Sequence, residues 1–272
     1  MMLVLSYLAA LAIGIPLGLI GGGGSIMTIP VLVYLFKVDP VSATAYSLFV
    51  VGVSSLFGVV PKYRQGLVDL KRGLVFGIPS IISVFLTRKI IVPAIPAVLY
   101  SSPDFEITKA FLMMTLFAVL MVFASVSMIR DRRSEVEEQV QPVSAKNNFG
   151  IIVEGFLIGM LTGFVGAGGG FLIIPALVYL GKLPMKKAVG TSLLIIAANS
   201  LFGFTGDLLS RKMDWTLLFT VTSLAVVGIF VGHSLSHKVD GPRLKRGFGW
   251  FVLVMGVYII VQQLFFPLPH AR

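Results

Sequence analysis

The sequence contains no cysteine, which excludes disulfides, zinc–thiolate centres and iron–sulfur clusters. Histidine is nearly as scarce. His233, His237 and His270 are the only three, too few and too irregularly spaced for a pair of haems held by bis-histidine ligation. Charge is sparse as well: 12% of the 272 residues are charged, against roughly 25% in a soluble domain. No carboxylates cluster in the apolar runs. A membrane enzyme or electron-carrying anchor subunit is therefore disfavoured, and no cofactor or metal is expected.

What is present is hydrophobic: 56% of the chain, with a mean hydropathy of +0.95. Apolar runs of 15 to 24 residues recur along the whole length, and a run of about 18 reads as a membrane-spanning helix. The expected class is an all-α polytopic membrane protein, with the lipid bilayer as its first partner. Residues 1–20 lack the basic flank of a signal peptide, and glycines stand where a cleavage site would be, so this run is kept in the mature fold. The net charge of +10 comes from short clusters between apolar runs, which reflects membrane insertion and not nucleic-acid binding.

Sliding the chain on itself by 145 residues aligns Gly21–Gly58 with Gly166–Gly203 without a gap, 17 of 38 positions being identical. Among them are Gly23/Gly168, Gly24/Gly169, Pro30/Pro175, Tyr34/Tyr179, Lys37/Lys182, Ser47/Ser192 and the tetrapeptide SLFG. The offset still holds at Asp69/Asp214. The chain is a duplication: a first transmembrane repeat at 1–129, a charged linker at 130–148 and a second repeat at 149–272. Each repeat reads as four transmembrane elements. The first (3–37 and 150–182) is broken by glycines, and spans follow near 41–60, 72–92 and 107–129, and near 185–206, 214–236 and 247–266.

If the broken element crosses once, Lys and Arg divide 11 to 11 between the two sides. If it returns as a hairpin, 62–72, 130–146, 182–187 and 238–246 share a side and hold 15, leaving 7. The positive-inside rule favours the hairpin, which inverts the two repeats and puts both termini on the non-cytoplasmic side. Inverted repeats with interrupted helices at matching positions are the sequence signature of a secondary transporter.

Broken backbone at membrane depth survives only where protein covers it or it lines a cavity. Half-helices starting near Ser25 and Gly170 would aim their positive ends at that cavity, which suits a small anion. Gly22, Gly23, Gly24 and Ser25, with Gly168, Gly169 and Gly170, are the candidate backbone donors. Gly14, Gly18, Gly159 and Gly163 read as close helix packing. In the next span Thr44, Ser47, Ser54 and Ser55 share a face, as do Thr191, Ser192, Asn199 and Ser200. Hydroxyls and an amide suit an oxyanion, so Ser47, Ser54, Ser192 and Asn199 join the candidate site. Glu154, matched by Ala9 in the first repeat, is a candidate proton-coupling carboxylate. Arg88, near a span end, is expected to snorkel to the headgroups, His233 aligns with it, and Asp69 and Asp214 read as helix N-caps. Lys62, Arg64, Lys71 and Arg72 are expected to set topology, and a basic mouth would also collect anions.

The segments GLIGGGGSIMTIPVLVYL, ATAYSLFVVGVSSLFG and GFVGAGGGFLIIPALVYLGKLPMKKAVGTSLLIIAANSLFG resemble the TauE/SafE family of membrane transporters, over about Ile13 to Phe266. The family pattern GxGGGxxxxPxL falls on Gly21, Gly23, Gly24 and Pro30, and on Gly166, Gly168, Gly169 and Pro175. Ser25 replaces the third glycine of the run in the first copy, and Gly22 replaces an alanine. The resemblance implies export of small sulfur-containing anions such as sulfite, sulfoacetate and related organosulfonates. It also implies a bacterial inner-membrane location, and a chain of this size often forms a homodimer. An anion channel and an uptake permease for another small anion are the alternatives.

Overall fold

A computed structural model describes residues 2–101, 106–130, 145–179, 181–208, 213–236 and 241–265. The chain is helical, with five helical segments in each half. α1 is Met2–Ile20. After it, a 3₁₀ turn (Gly22–Met27), one α-turn (Thr28–Pro30) and a wider π turn (Val31–Leu35) run on as a short segment, α2. α3 is Pro40–Arg64 and α4 is Leu70–Ala94, whose last turns include a π turn at Thr87–Ile91. A small antiparallel hairpin, β1 (Val98–Ser101) with β2 (Glu106–Thr108), leads to α5, Lys109–Arg130. The second half repeats the order as α6 (Ala145–Val165), α7 (Gly170–Tyr179), α8 (Met185–Leu208), α9 (Trp215–Ser236) and α10 (Gly241–Phe265). Five of these are long and apolar enough to cross a membrane: α3, α4, α5, α8 and α9 to Leu235. The β-hairpin was not expected from the sequence, and most of the expected linker at 130–148 lies outside the described residues.

Local signals place the boundaries. Asp39 accepts the Ser42 N–H at 3.0 Å and Pro40 opens α3, since proline needs no donor in a first turn. Asp69 caps α4 through the Arg72 N–H, and Asp214 caps α9 through the Leu217 N–H, each at 3.0 Å. Both expected N-caps are present. The duplication reaches the backbone: α2 and α7 are each followed by a left-handed lysine, Lys37 at φ 56° and Lys182 at φ 47°. The Val38 N–H bonds Leu32 and the Leu183 N–H bonds Leu177, both at 3.0 Å.

The first broken element doubles back on itself. Ser6 Oγ donates to the Leu35 carbonyl at 3.5 Å, and the Tyr7 and Phe36 rings are 6.1 Å apart, so the end of α2 returns to the level at which α1 begins. At the turn, Gly24 lies on the α1 backbone at Pro16 and Leu17, as its counterpart Gly169 lies on Thr162. α1 then packs on α9, and α6 on α4. Both contacts run through glycines: Gly14 and Gly18 meet the carbonyls of Ala225 and Ile229, while Gly159 and Gly163 meet Ser80 and Val84. Those four glycines pack helices as expected.

The equivalent helices α3 and α8 cross antiparallel at the centre, since Leu48, Gly52 and Gly58 face Gly203, Ser200 and Leu193 in reversed order. α4 runs parallel beside α8. Gly73 meets Thr191, Gly77 meets Ile195, Ser80 meets Asn199, Val84 meets Gly203 and Arg88 meets Asp207, about one turn apart each time. Each half also ties off the other: the Thr191 hydroxyl accepts the Asp69 N–H at 2.9 Å, and the Tyr46 hydroxyl accepts the Asp214 N–H at 2.7 Å. Tyr46 and Thr191 are themselves equivalent positions.

A Cβ on Gly159 would stand 2.5 Å from the Ser80 carbonyl oxygen, whereas one on Gly150 meets nothing within 4 Å. Gly159→Leu should therefore lower stability by about 1–3 kcal/mol, with Gly150→Leu near neutral. Thermal unfolding of the two variants in detergent checks this, and equal midpoints would contradict the packing described.

Candidate functional site

The second break is the better defined. α6 ends as the Gly166 N–H bonds the Thr162 carbonyl at 2.8 Å, and α7 starts at Gly170. Between them Gly166, Gly168 and Gly169 take φ values of 80°, 67° and 73°, a left-handed region that side chains disfavour. Space excludes a side chain as well. A Cβ on Gly166 would collide with Arg88 Nη2 and Thr44, and one on Gly168 would stand 2.7 Å from Val51 and 2.9 Å from Ser200 Oγ. The break is thus pressed between α3, α8 and the end of α4. As the first residues of α7, Gly170 and Phe171 present N–H groups with no carbonyl a turn behind them.

The first break has a different form. Gly21 matches Gly166 at φ 80° and lies on Val189 of α8, as Gly166 lies on the equivalent Thr44 of α3. Gly22, Gly23, Gly24 and Ser25 are wound into the 3₁₀ turn, where the sequence suggested the open start of a half-helix. That turn packs against α7, so the two broken elements meet.

The expected polar residues separate into two groups. Ser47, Ser54, Ser55 and Ser200 are fully buried, and none of their hydroxyls has a hydrogen-bond partner among the described residues. Thr28, in α2, is the same. The others are occupied. Ser192 Oγ donates to the Val189 carbonyl at 2.8 Å, and Asn199 Nδ2 donates to Ser80 Oγ at 2.6 Å while its Oδ1 has no partner. Ser192 therefore braces its own helix, whereas the equivalent Ser47 does not. Glu154 is half-buried on α6, its Oε2 without a partner among the described residues.

One expectation is reversed. Arg88 does not snorkel: it is fully buried, and its Nη1 donates to Thr44 Oγ1 and to Asp207 Oδ2, each at 3.0 Å. Asp207 was passed over in the sequence. Its only signal there is its repeat equivalent, Lys62, an acid standing where the other half has a base. Arg72 is also buried, its guanidinium held by the N-cap Asp69 at 3.2 Å, so it braces the start of α4 as well as marking a basic loop. Among the described residues no three His, Asp or Glu side chains group as a metal site.

Comparison with known proteins gives a concordant picture. The profile of the sulfite exporter TauE/SafE family matches residues 6–259. A probable membrane transporter protein of Xylella fastidiosa strain Temecula1 is 28% identical over 255 residues, 91% of each chain. The probable membrane transporter protein YunE of Bacillus subtilis is 25% identical over 283 residues, covering 96% of this chain and all of YunE. YjnA of the same organism, also a probable membrane transporter protein, is 28% identical over 261 residues, 93% of this chain and 98% of its own. No solved structure matches the chain.

Stability should divide the polar residues as the hydrogen bonds do. Asn199→Leu leaves the buried Ser80 hydroxyl without its donor and should cost about 1–3 kcal/mol, most of it recovered by adding Ser80→Ala. Ser47→Ala, Ser54→Ala and Ser200→Ala lose no bond and should stay within about 0.5 kcal/mol. A thermal unfolding series checks this. Serine variants as damaging as Asn199→Leu would show that those hydroxyls serve the fold.

Proposed function

The chain belongs to the TauE/SafE family of sulfite exporters, and from that membership we propose that this membrane transporter carries small sulfur-containing anions, sulfite or an organosulfonate such as sulfoacetate, outward across a bacterial inner membrane. The family and the curated relatives are transporters, not enzymes. One observation carries the anion reading: the two glycine-broken elements pack together where buried hydroxyls lack partners. A buried hydroxyl without a partner is costly, and an oxyanion accepts hydrogen bonds on every oxygen. Backbone N–H groups at the start of α7 and the hydroxyls of Ser47, Ser54 and Ser200 are the proposed donors. Gly22, Gly23, Gly24, Ser25, Gly168 and Gly169 shape the cradle. Asn199 and Ser192 support its walls, and Glu154 is the proposed proton-coupling group.

Transport proceeds in this reading by alternating access, residues 1–129 rocking against 149–272 with the anion between them. The repeats are inverted, with 130–148 in the cytoplasm. The antiparallel crossing of the equivalent helices α3 and α8 and the return of α2 beside α1 support that orientation. Because the chain has no cysteine, single cysteines report sidedness cleanly. Lys71 and Lys37 are both exposed. A cysteine replacing Lys71 should react with an impermeant maleimide from the cytoplasmic side, and one replacing Lys37 from the opposite side. Labelling of both from one side would sink the topology.

The substrate is tested by ligand-dependent thermal stability of the purified protein with sulfite, sulfoacetate, taurine, sulfate, thiosulfate and chloride at matched ionic strength. A ligand at a hundred times its Kd should stabilise by about 2.7 kcal/mol. A shift with sulfite or a sulfonate and none with chloride supports the reading. Shifts with none of them would remove the sulfur assignment. Counter-transport of labelled anion in proteoliposomes separates a carrier from a channel.

A further inference from the structure

The row of contacts between α4 and α8 ends in an ion pair in which both side chains are essentially out of solvent, Arg88 at 0% and Asp207 at 3% exposure. Arg88 leaves the first half and Asp207 the second, so the pair bridges the repeats. Its surroundings are built for it. Gly206 is the residue next to Asp207, and a Cβ there would stand 2.9 Å from Arg88 Cβ. Thr44 Oγ1 gives its own proton to the Val41 carbonyl at 2.7 Å, which leaves its lone pair for the guanidinium. Arg88 Nη2 occupies the volume that any side chain on Gly166 would need. The second glycine break therefore admits a guanidinium, and the cation belongs to the broken element as much as to α4.

A buried ion pair is a weak source of stability compared with apolar residues of the same volume, and ionisable groups inside spans mark pathways more often than they brace folds. The duplication sharpens this. The repeat equivalents of Asp207 and Arg88 are Lys62 and His233, so the carboxylate is present at one end of the molecule only. Thr44 and Lys62 stand at opposite ends of α3, about 27 Å apart at 1.5 Å per residue.

We propose that Arg88 supplies the cationic group that binds the transported anion at the second break, and that Asp207 is a resident carboxylate that holds this guanidinium until the anion displaces it. The proposal rests on the anion-transport reading above. A carboxylate, a sulfonate and sulfite all offer paired oxygens to the guanidinium fork, so one can replace another without leaving Arg88 bare. Displacement breaks the salt bridge between the two halves at that end of α4 and α8, leaving the packing of Gly206 on Arg88 and Lys89 as the remaining tie.

The test is binding of sulfite and sulfoacetate to the purified full-length protein by calorimetry, with thermal unfolding as the control for folding. Asp207→Asn removes the competitor and should tighten binding by about tenfold. Arg88→Gln with Asp207→Asn leaves no lone buried charge and should fold, yet bind about tenfold or more weakly than wild type. If the double variant binds as wild type does and Asp207→Asn binds no tighter, the pair is structural. The proposal then falls while the anion site stands. If Asp207→Asn does not fold, the double variant decides alone. If wild type binds neither probe nor any other anion of the stability screen, the sulfur-anion reading fails and this proposal with it.

Discussion

A polypeptide that interrupts its helices inside hydrocarbon must cover the freed backbone with protein, and the rest of this structure follows from that requirement. Neither half covers its own break alone. Gly21 lies on Val189 in the second half, and Gly166 lies on Thr44 in the first. The helix that follows each break thus shields the other half's break. The same exchange holds at the helix caps, where Thr191 receives the Asp69 N–H and Tyr46 receives the Asp214 N–H. Two interlocked halves result, and the point where their broken elements touch lies between them.

The demand for close cover also accounts for the composition of the helices around the breaks. α1 and α6 bring Gly14, Gly18, Gly159 and Gly163 against carbonyls of α9 and α4, approaches that a Cβ would forbid. α3 and α8 cross at Gly52 and Ser200, small residues that let two backbones come near. Helices on the periphery carry large side chains outward instead, Phe123 on α5 and Trp250 and Val254 on α10 among them. In a bilayer such residues meet lipid and need no partner.

The duplication, the spans, the N-caps and the packing glycines were legible because each is a local pattern: a run of apolar residues, an Asp three residues before an N–H, a glycine every fourth position. The return of α2 along α1 was legible through the count of basic residues. What escaped was tertiary. Arg88 and Asp207 are separated by 119 positions, and a cation near the end of an apolar run reads by default as reaching for water. Ser47 and Ser192 are identical residues at equivalent positions, yet only Ser192 bonds its own helix, a rotamer difference that no spacing encodes. The 3₁₀ winding of the first glycine run also has no sequence signal beyond Ser25, where the second copy has Gly170.

Those departures from symmetry bear on function more than the symmetry does. A duplicated scaffold presents two similar surfaces to the point where the breaks meet, whereas the proposed anion is one ligand shared by both. A cation supplied by one half alone makes the two surfaces differ. Such differences fall at equivalent positions of the two halves: Ser54 against Asn199, Thr44 against Val189, Lys62 against Asp207 and Arg88 against His233. All four change charge or hydrogen-bonding capacity, while Gly21, Gly23, Gly24 and Pro30 recur as Gly166, Gly168, Gly169 and Pro175. Duplication conserved the breaks, and divergence placed an acid–base pair beside one of them. The pair sits against Gly166, where Arg88 Nη2 fills the space a side chain would take, and that position is what ties the asymmetry to the break.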